Sequence, residues 1–213
     1  MQRIPSDRAG AVVFDLVQAI QANRAYLSEI DGAIGDGDHG INMAKGFSAA
    51  GAAIAPGTSL GPALAQLGET LMEGVGGSMG PLYGAFFSGM AEALGARGEV
   101  DPPAFSEMLA RAQAAVEELG SAKVGDKTLL DTLVPARAAF DEARVAGTSL
   151  AGCLERMAAA SRTGRDSTRD LVARVGRASR LGERSRGVLD AGATSCCIIL
   201  ETFAGTFGRL LAE

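Results

Sequence analysis

Apolar residues recur at helical spacing along almost the whole of this chain, and no stretch alternates as a half-buried strand must. Val13, Leu16, Val17, Ile20 and Leu27 fall at i, i+3, i+4 and i+7, which predicts one amphipathic helix over residues 8–28. The same spacing predicts helices over 40–53 and 60–72, and another behind Pro81 through Leu82, Phe86, Met90 and Leu94. Phe105, Met108, Leu109, Ala112, Val116 and Leu119 give a further stripe. Leu130, Leu133 and Val134 begin the next, which Pro135 is expected to kink or restart before Phe140. Leu150 to Ala160 follows, and Cys196, Leu200, Phe203, Phe207 and Leu210 mark the last helix. Short connections make successive helices antiparallel neighbours, so the fold class is all-α, a barrel or bundle of about eight antiparallel helices. A chain of 213 residues fills one core, and 1–213 is taken as a single domain.

Three glycine-containing loops punctuate these helices: Gly35-Asp36-Gly37-Asp38-His39-Gly40, Gly74 to Gly80, and Gly120 to Thr128. They follow alternate helices, so an up-down arrangement collects them at one end, which becomes the candidate site. Composition narrows what that site can do. A net charge of −5 argues against a nucleic-acid binder, whose affinity rests on neutralising phosphates. No apolar run approaches the roughly 18 residues of a membrane span, and Met1 to Asp7 lacks a signal peptide's apolar segment. A cytoplasmic protein without membrane or nucleic-acid partners is expected. Cys153, Cys196 and Cys197 have no C-x-x-C spacing, so neither a disulfide framework nor a zinc site is indicated, and Cys196 and Cys197 fall in a core pattern.

Several familiar motifs fail. Gly35 to Gly40 satisfies G-x-G-x-x-G, but it follows a helix, and its two carboxylates would repel a bare pyrophosphate. Gly120 to Thr128 misses a P-loop because Asp126 separates Gly125 from Lys127. An EF-hand begun at Asp36 puts Ile41 where the turn glycine belongs and Phe47 where the bidentate Glu belongs. The single histidine, His39, has no nucleophile beside it in sequence.

What remains is chemistry for a hard cation. Asp31, Asp36 and Asp38 crowd three carboxylates into eight residues, and oxygen ligands on a flexible loop suit Mg²⁺ or Ca²⁺ better than zinc. One ion, or two sharing a bridging carboxylate, would relieve their repulsion, and the phosphates of a nucleotide would complete the shell. Backbone N–H groups at Gly40 to Asn42 and Gly77 to Met79 would cradle those phosphates at helix N-termini, with Arg177 or a neighbour closing over them. The residues alone leave a blander reading open, in which Asp36 and Asp38 make Asx turns and an N-cap and His39 is a satisfied loop residue. Likewise the arginines from Arg162 to Arg186, interleaved with Asp166, Asp170 and Glu183, read equally well as a solvated face.

Four motifs now carry a resemblance. Ile34-Gly35-Asp36-Gly37-Asp38-His39-Gly40-Ile41-Asn42-Met43 is the first, and Val75-Gly76-Gly77-Ser78-Met79-Gly80-Pro81-Leu82-Tyr83-Gly84 the second. Gly125-Asp126-Lys127-Thr128 followed by Asp131, and Gly176-Arg177-Ala178-Ser179 with Leu181-Gly182-Glu183-Arg184-Ser185, complete them. Together, in order over nearly the whole chain, they resemble the nucleotide-binding L subunit of dihydroxyacetone kinase, the DhaL family. The resemblance implies an all-α barrel with ADP or ATP at one end, bound through two Mg²⁺ held by Asp31, Asp36 and Asp38. It implies that His39, Gly40, Ile41, Asn42, Ser78 and Met79 contact phosphates and that Gly120 and Leu129 lie against base or ribose. Arg177 with Asp190, Ala191 and Gly192 would complete the pocket, and the arginine-rich stretch becomes a lid.

The same resemblance implies a partner. Dihydroxyacetone would be held covalently by a histidine of a separate K-type subunit, so this chain alone binds nucleotide and turns over nothing. A phosphotransferase-system phosphoryl donor subunit and a homodimer are the other assemblies it suggests. Four positions depart from the family pattern: Met79 for a common serine, Ala191 for a proline, Arg180 for a frequent tyrosine, and Leu189 where a polar residue is common. They leave the metal residues untouched and point toward another short ketose, such as erythrulose, as substrate. The alternatives carried are an erythrulose-type kinase subunit and a non-catalytic ADP-holding relay protein. The nucleotide domain of fatty-acid kinases fits less well, because a threonine-type loop stands there in place of His39.

Overall fold

The structure, a computed structural model, describes residues 2–213. The first apolar stripe forms two helices rather than one, α2 (Val12–Ala22) and α3 (Arg24–Ile34), after a single short turn of helix, α1 (Ser6–Ala9). Asn23 stands at the break, at φ −99° and ψ 6°, with its backbone and side-chain amides both donating to the Ala19 carbonyl, at 3.1 and 2.8 Å. The Asn23 carbonyl then accepts from Leu27 to start α3. Leu16, Ile20, Leu27 and Ile34 bury the same kind of face across the break, so apolar periodicity carries no trace of it. One consequence matters for function. Asp31 sits in the last turn of α3, on a rigid element, and not on a loop.

The remaining helices are α4 (His39–Ala53), α5 (Leu60–Gly74), α6 (Met79–Leu94), α7 (Pro102–Leu119), α8 (Leu130–Val145), α9 (Leu150–Ser167) and α10 (Ala191–Ala212). Each of α4 through α9 packs on its successor, α10 packs back on α2, and α2 on α4, so eight helices close a ring while α3 lies between α2, α4 and α10. The expected barrel of about eight antiparallel helices is the fold. Its interior is filled by two aromatic groups. Phe47 and Phe86 meet Phe87 edge-on at 5.8 and 5.0 Å, and Phe105 gathers Phe140, Phe203 and Phe207 within 5.8 Å. All three cysteines are free and buried, as the core pattern required.

Local chemistry sets the helix ends. Asp101 caps α7 by accepting from the Ala104 amide at 2.8 Å, Ser149 caps α9 at Gly152, and Asp190 caps α10 at Ala193. Pro135 does not restart α8, which runs as one helix from Leu130 to Val145. The carbonyl it cannot bond, that of Asp131, points at α9, where a Cβ on Gly164 would lie 2.3 Å from it; glycine there lets the two helices close over the orphaned oxygen. Among the described residues the one sheet is a pair of two-residue strands, β1 (Ile4–Pro5) and β2 (Glu99–Val100), with Ile4 opposite Val100. Two residues cannot display alternation, so no sequence pattern announces them. By length and mean hydropathy α10 also passes for a membrane span, at 1.3, but Cys196, Ile199, Leu200, Phe203 and Phe207 on it are buried in the ring.

Candidate functional site

α3 ends at Ile34, the chain turns through Gly37 at φ +77°, and α4 starts at His39. That tight link brings Asp31, Asp36 and Asp38 together, with one carboxylate oxygen of each within 4.8 Å of the others. Asp38 occupies the N-cap position of α4, yet its side chain makes no cap hydrogen bond. The amide of His39 is instead satisfied from across the turn, by Asp31 Oδ2 at 3.3 Å. The capping role thus leaves the Asp38 carboxylate free. Three half-exposed carboxylates this close repel by on the order of 1–3 kcal/mol per pair. Among the described residues the cation paired with the cluster is Arg177, whose guanidinium meets Asp36. An all-oxygen, triply anionic cluster open on one side fits a hard divalent ion such as Mg²⁺.

The cluster opens into a cavity of about 900 Å³. Its walls come from all three glycine loops, from the start of α10 and from the arginine-rich segment, so the end of the ring chosen from loop order is the end that carries the cavity. His39, Ser78, Met79, Gly120, Leu129, Arg177, Asp190, Ala191 and Gly192 line it together with the three aspartates. Gly40, Ile41 and Asn42 do not. Gly40 is buried against α3, Ile41 is turned out to solvent, and the Asn42 amide is used within the helix by the Asp38 carbonyl at 2.9 Å. The first turn of α6 has the same bonding, its first helical bond running from Leu82 to the Ser78 carbonyl, but there the residues at the helix start, Ser78 and Met79, do line the cavity.

Behind the acid cluster, His39 is buried and its Nε2 shares a 2.9 Å hydrogen bond with Ser195 Oγ, which Tyr83 meets at 2.6 Å. Ser195 is wholly buried and shares its hydroxyl with both partners, so this is a structural relay between α4, α6 and α10 and not a nucleophile with its base. Sequence spacing could not pair residues 156 positions apart.

Burial gives two site residues opposed responses to acid. His39 is pushed down to about 4 from 6.5, chiefly by desolvation, against a smaller pull from Asp31. The folded chain therefore refuses a proton that the unfolded chain binds, and stability falls as pH drops from 6.5 toward 4. Asp190 is pushed up to about 7 from 3.8, again chiefly by desolvation. The folded chain then holds a proton that the unfolded chain has released, and stability rises as pH drops from 7 toward 4. Each contribution is on the order of 3 kcal/mol. In urea titrations with chelator present, His39→Gln is expected to gain stability on acidification over this range and Asp190→Asn, which keeps the cap, to lose it. Slopes of the same sign in the two variants would refute the pair of assignments.

The third glycine loop is built by residues the sequence showed only as a motif. Buried Asp131 accepts from the amides of Gly125 at 2.6 Å and Thr128 at 2.7 Å. Lys127 beside it is buried too, and desolvation pushes its ammonium below the usual lysine range. The arginine run divides: Arg162 pairs with Glu201, Arg165 with Asp166 and Arg186 with Glu183, while Val175 to Ala178 and Arg180 line the cavity.

The model of the DAK2 domain matches residues 33–205. The chain belongs to the DAK2 domain family. Within it, the chain is 38% identical over 182 residues to the ADP-binding subunit DhaL of a PEP-dependent dihydroxyacetone kinase of Escherichia coli, covering 84% of this chain and 86% of that one. It is 34% identical over 206 residues to a D-erythrulose kinase of Mycolicibacterium smegmatis, covering 92% of this chain but 36% of that larger protein. The same DAK2 fold is present in the crystal structure of the dihydroxyacetone kinase of C. freundii in complex with AMP-PNP and Mg²⁺, with a TM-score of 0.67 and 23% identity over 92% of this chain and 33% of that one.

Proposed function

We propose that this chain is the nucleotide-binding component of a two-part ketose kinase, holding ADP or ATP with Mg²⁺ for transfer of a phosphoryl group to dihydroxyacetone on a separate K-type subunit. The observation that carries this reading is the convergence of three carboxylates, Asp38 among them free of any capping bond, at the mouth of a cavity walled by three glycine loops. Asp31, Asp36 and Asp38 would hold the metal, which supplies positive charge to the polyphosphate. The amides at the start of α6 face phosphate oxygens as helix N-termini do, and Arg177 adds a cation on the opposite wall. Leu129 and Leu119 give the base an apolar surface. His39, the only histidine of these residues, is buried on Ser195 and so is not offered to a ketone. The substrate is therefore assigned to the partner, and we place both in the cytoplasm.

Saturating ADP with Mg²⁺ is expected to raise the melting temperature by about 5–10 °C, and EDTA to abolish the rise. No shift at millimolar ligand refutes the reading. Mass spectrometry of the nucleotide released from purified protein then separates two modes: retained ADP means rephosphorylation in place by a phosphoryl donor subunit, and an empty site means exchange of free ATP. The likeness to a D-erythrulose kinase favours a four-carbon ketose as second substrate reading. Assay with a K-type partner on dihydroxyacetone and on erythrulose decides it.

A further inference from the structure

Lys127 is the only non-glycine residue with positive φ among the described residues, at +65°, a conformation that L side chains adopt when something else holds them there. What holds it is its own ammonium. Nζ donates to three main-chain carbonyls, Thr168 at 2.6 Å, Leu171 at 3.3 Å and Val188 at 2.5 Å, which use all three of its protons. Thr168 and Leu171 stand where α9 gives way to the arginine-rich segment, and Val188 stands where that segment rejoins α10. One buried cation therefore ties together the two ends of an excursion whose far part packs on α3 and carries Arg177 to Asp36. Two bonds reinforce the same neck, from the Gly187 amide to the Arg169 carbonyl at 2.7 Å and from the Ala173 amide to Ser185 Oγ at 2.9 Å.

We infer that Lys127 is a positioning residue: by cinching the neck of residues 168–188 it holds the Arg177 wall over the cavity, and so sets nucleotide affinity without touching the metal cluster. The second half of this statement rests on the nucleotide reading above; the first half does not. Among the described residues no other side chain donates to both ends of the excursion through one nitrogen, and the buried Thr168 carbonyl, left without this donor, has no solvent to replace it.

The test is Lys127→Met, which keeps the length and apolar stem and removes the donors. Hydrogen exchange of the ligand-free protein is expected to quicken by about tenfold or more within residues 171–188, with the ring helices unchanged. ADP in excess Mg²⁺ is expected to bind about tenfold or more weakly, while Mn²⁺ alone binds within about twofold of the unaltered chain. Unchanged exchange, or quickening spread evenly through the helices, overturns the neck, and equal loss of ADP and Mn²⁺ affinity overturns the positioning role. If the unaltered chain binds no ADP, the nucleotide reading falls and the exchange map alone decides the neck. Should Lys127→Met fail to fold, Lys127→Arg, which keeps donors on a longer arm, is expected to show the same local quickening, and its absence is equally fatal.

Discussion

Asp38→Ala is expected to weaken Mg²⁺-dependent binding of ADP by about a thousandfold or more while leaving the ligand-free melting temperature unchanged or slightly raised. The argument turns on what the side chain does not do. Asp38 stands at the N-cap of α4 without capping it, so its removal takes no partner from any amide. It also relieves repulsion from Asp31 and Asp36, whose ligating oxygens lie within 4.8 Å. Asp31→Ala is different, because Asp31 accepts from the His39 amide, and its loss should cost about 1 kcal/mol of stability as well as the metal. Isothermal titration with Mg²⁺ and ADP, beside thermal melts in EDTA, separates the two variants. Retained ADP affinity in Asp38→Ala would remove the trio from the site.

Gly40→Ala is expected to destabilise the fold by about 3 kcal/mol or more, lowering the melting temperature by roughly 10 °C. A Cβ there would lie 2.0 Å from the Arg24 carbonyl oxygen, 2.7 Å from Ser28 Oγ and 2.8 Å from the Ser28 amide. Two of those three atoms are backbone of α3 and cannot swing aside. Helices α3 and α4 must then part, and since α3 carries Asp31 while α4 follows Asp38, metal affinity should fall with stability. Gly205→Ala is the control: it lies on the exposed face of α10 with nothing within 4 Å of its Cβ, and is expected to gain up to about 1 kcal/mol from helix propensity. Equal melting temperatures for the two variants would show that the α3–α4 approach is not as tight as the structure has it.

The ring was legible in sequence because helical burial repeats every three to four residues, and Phe86, Phe105 and Phe203 fall on those repeats. The acid cluster was legible because Asp36 and Asp38 are local in sequence and glycines between them leave little choice of turn. The break at Asn23 was not, since Ile20 and Leu27 keep their spacing across it and a change of backbone angles at one polar residue leaves no mark on hydropathy. Nor was the continuity of α8 through Pro135, which depends on a glycine in a different helix. The motif around Gly40 to Asn42 gives no sign that the helix's own first turn takes up the Asn42 amide and packs Gly40 inward. Lys127 and Ser195 act through partners 41 and 156 residues away, and only the closed ring brings those partners near.

Ring closure has a consequence for how the site comes into being. Its walls are drawn from α3 near the start, from two central loops, and from the segment that enters α10, and α10 seals the circle by packing on α2. No fragment that stops short of α10 holds the whole of the cavity. The contacts that close the ring, between α10 and α2, span nearly the whole chain, and such distant pairings are the slow ones in folding. A ligand that bridges those walls therefore recognises a finished circle and, by mass action, favours it over every open intermediate.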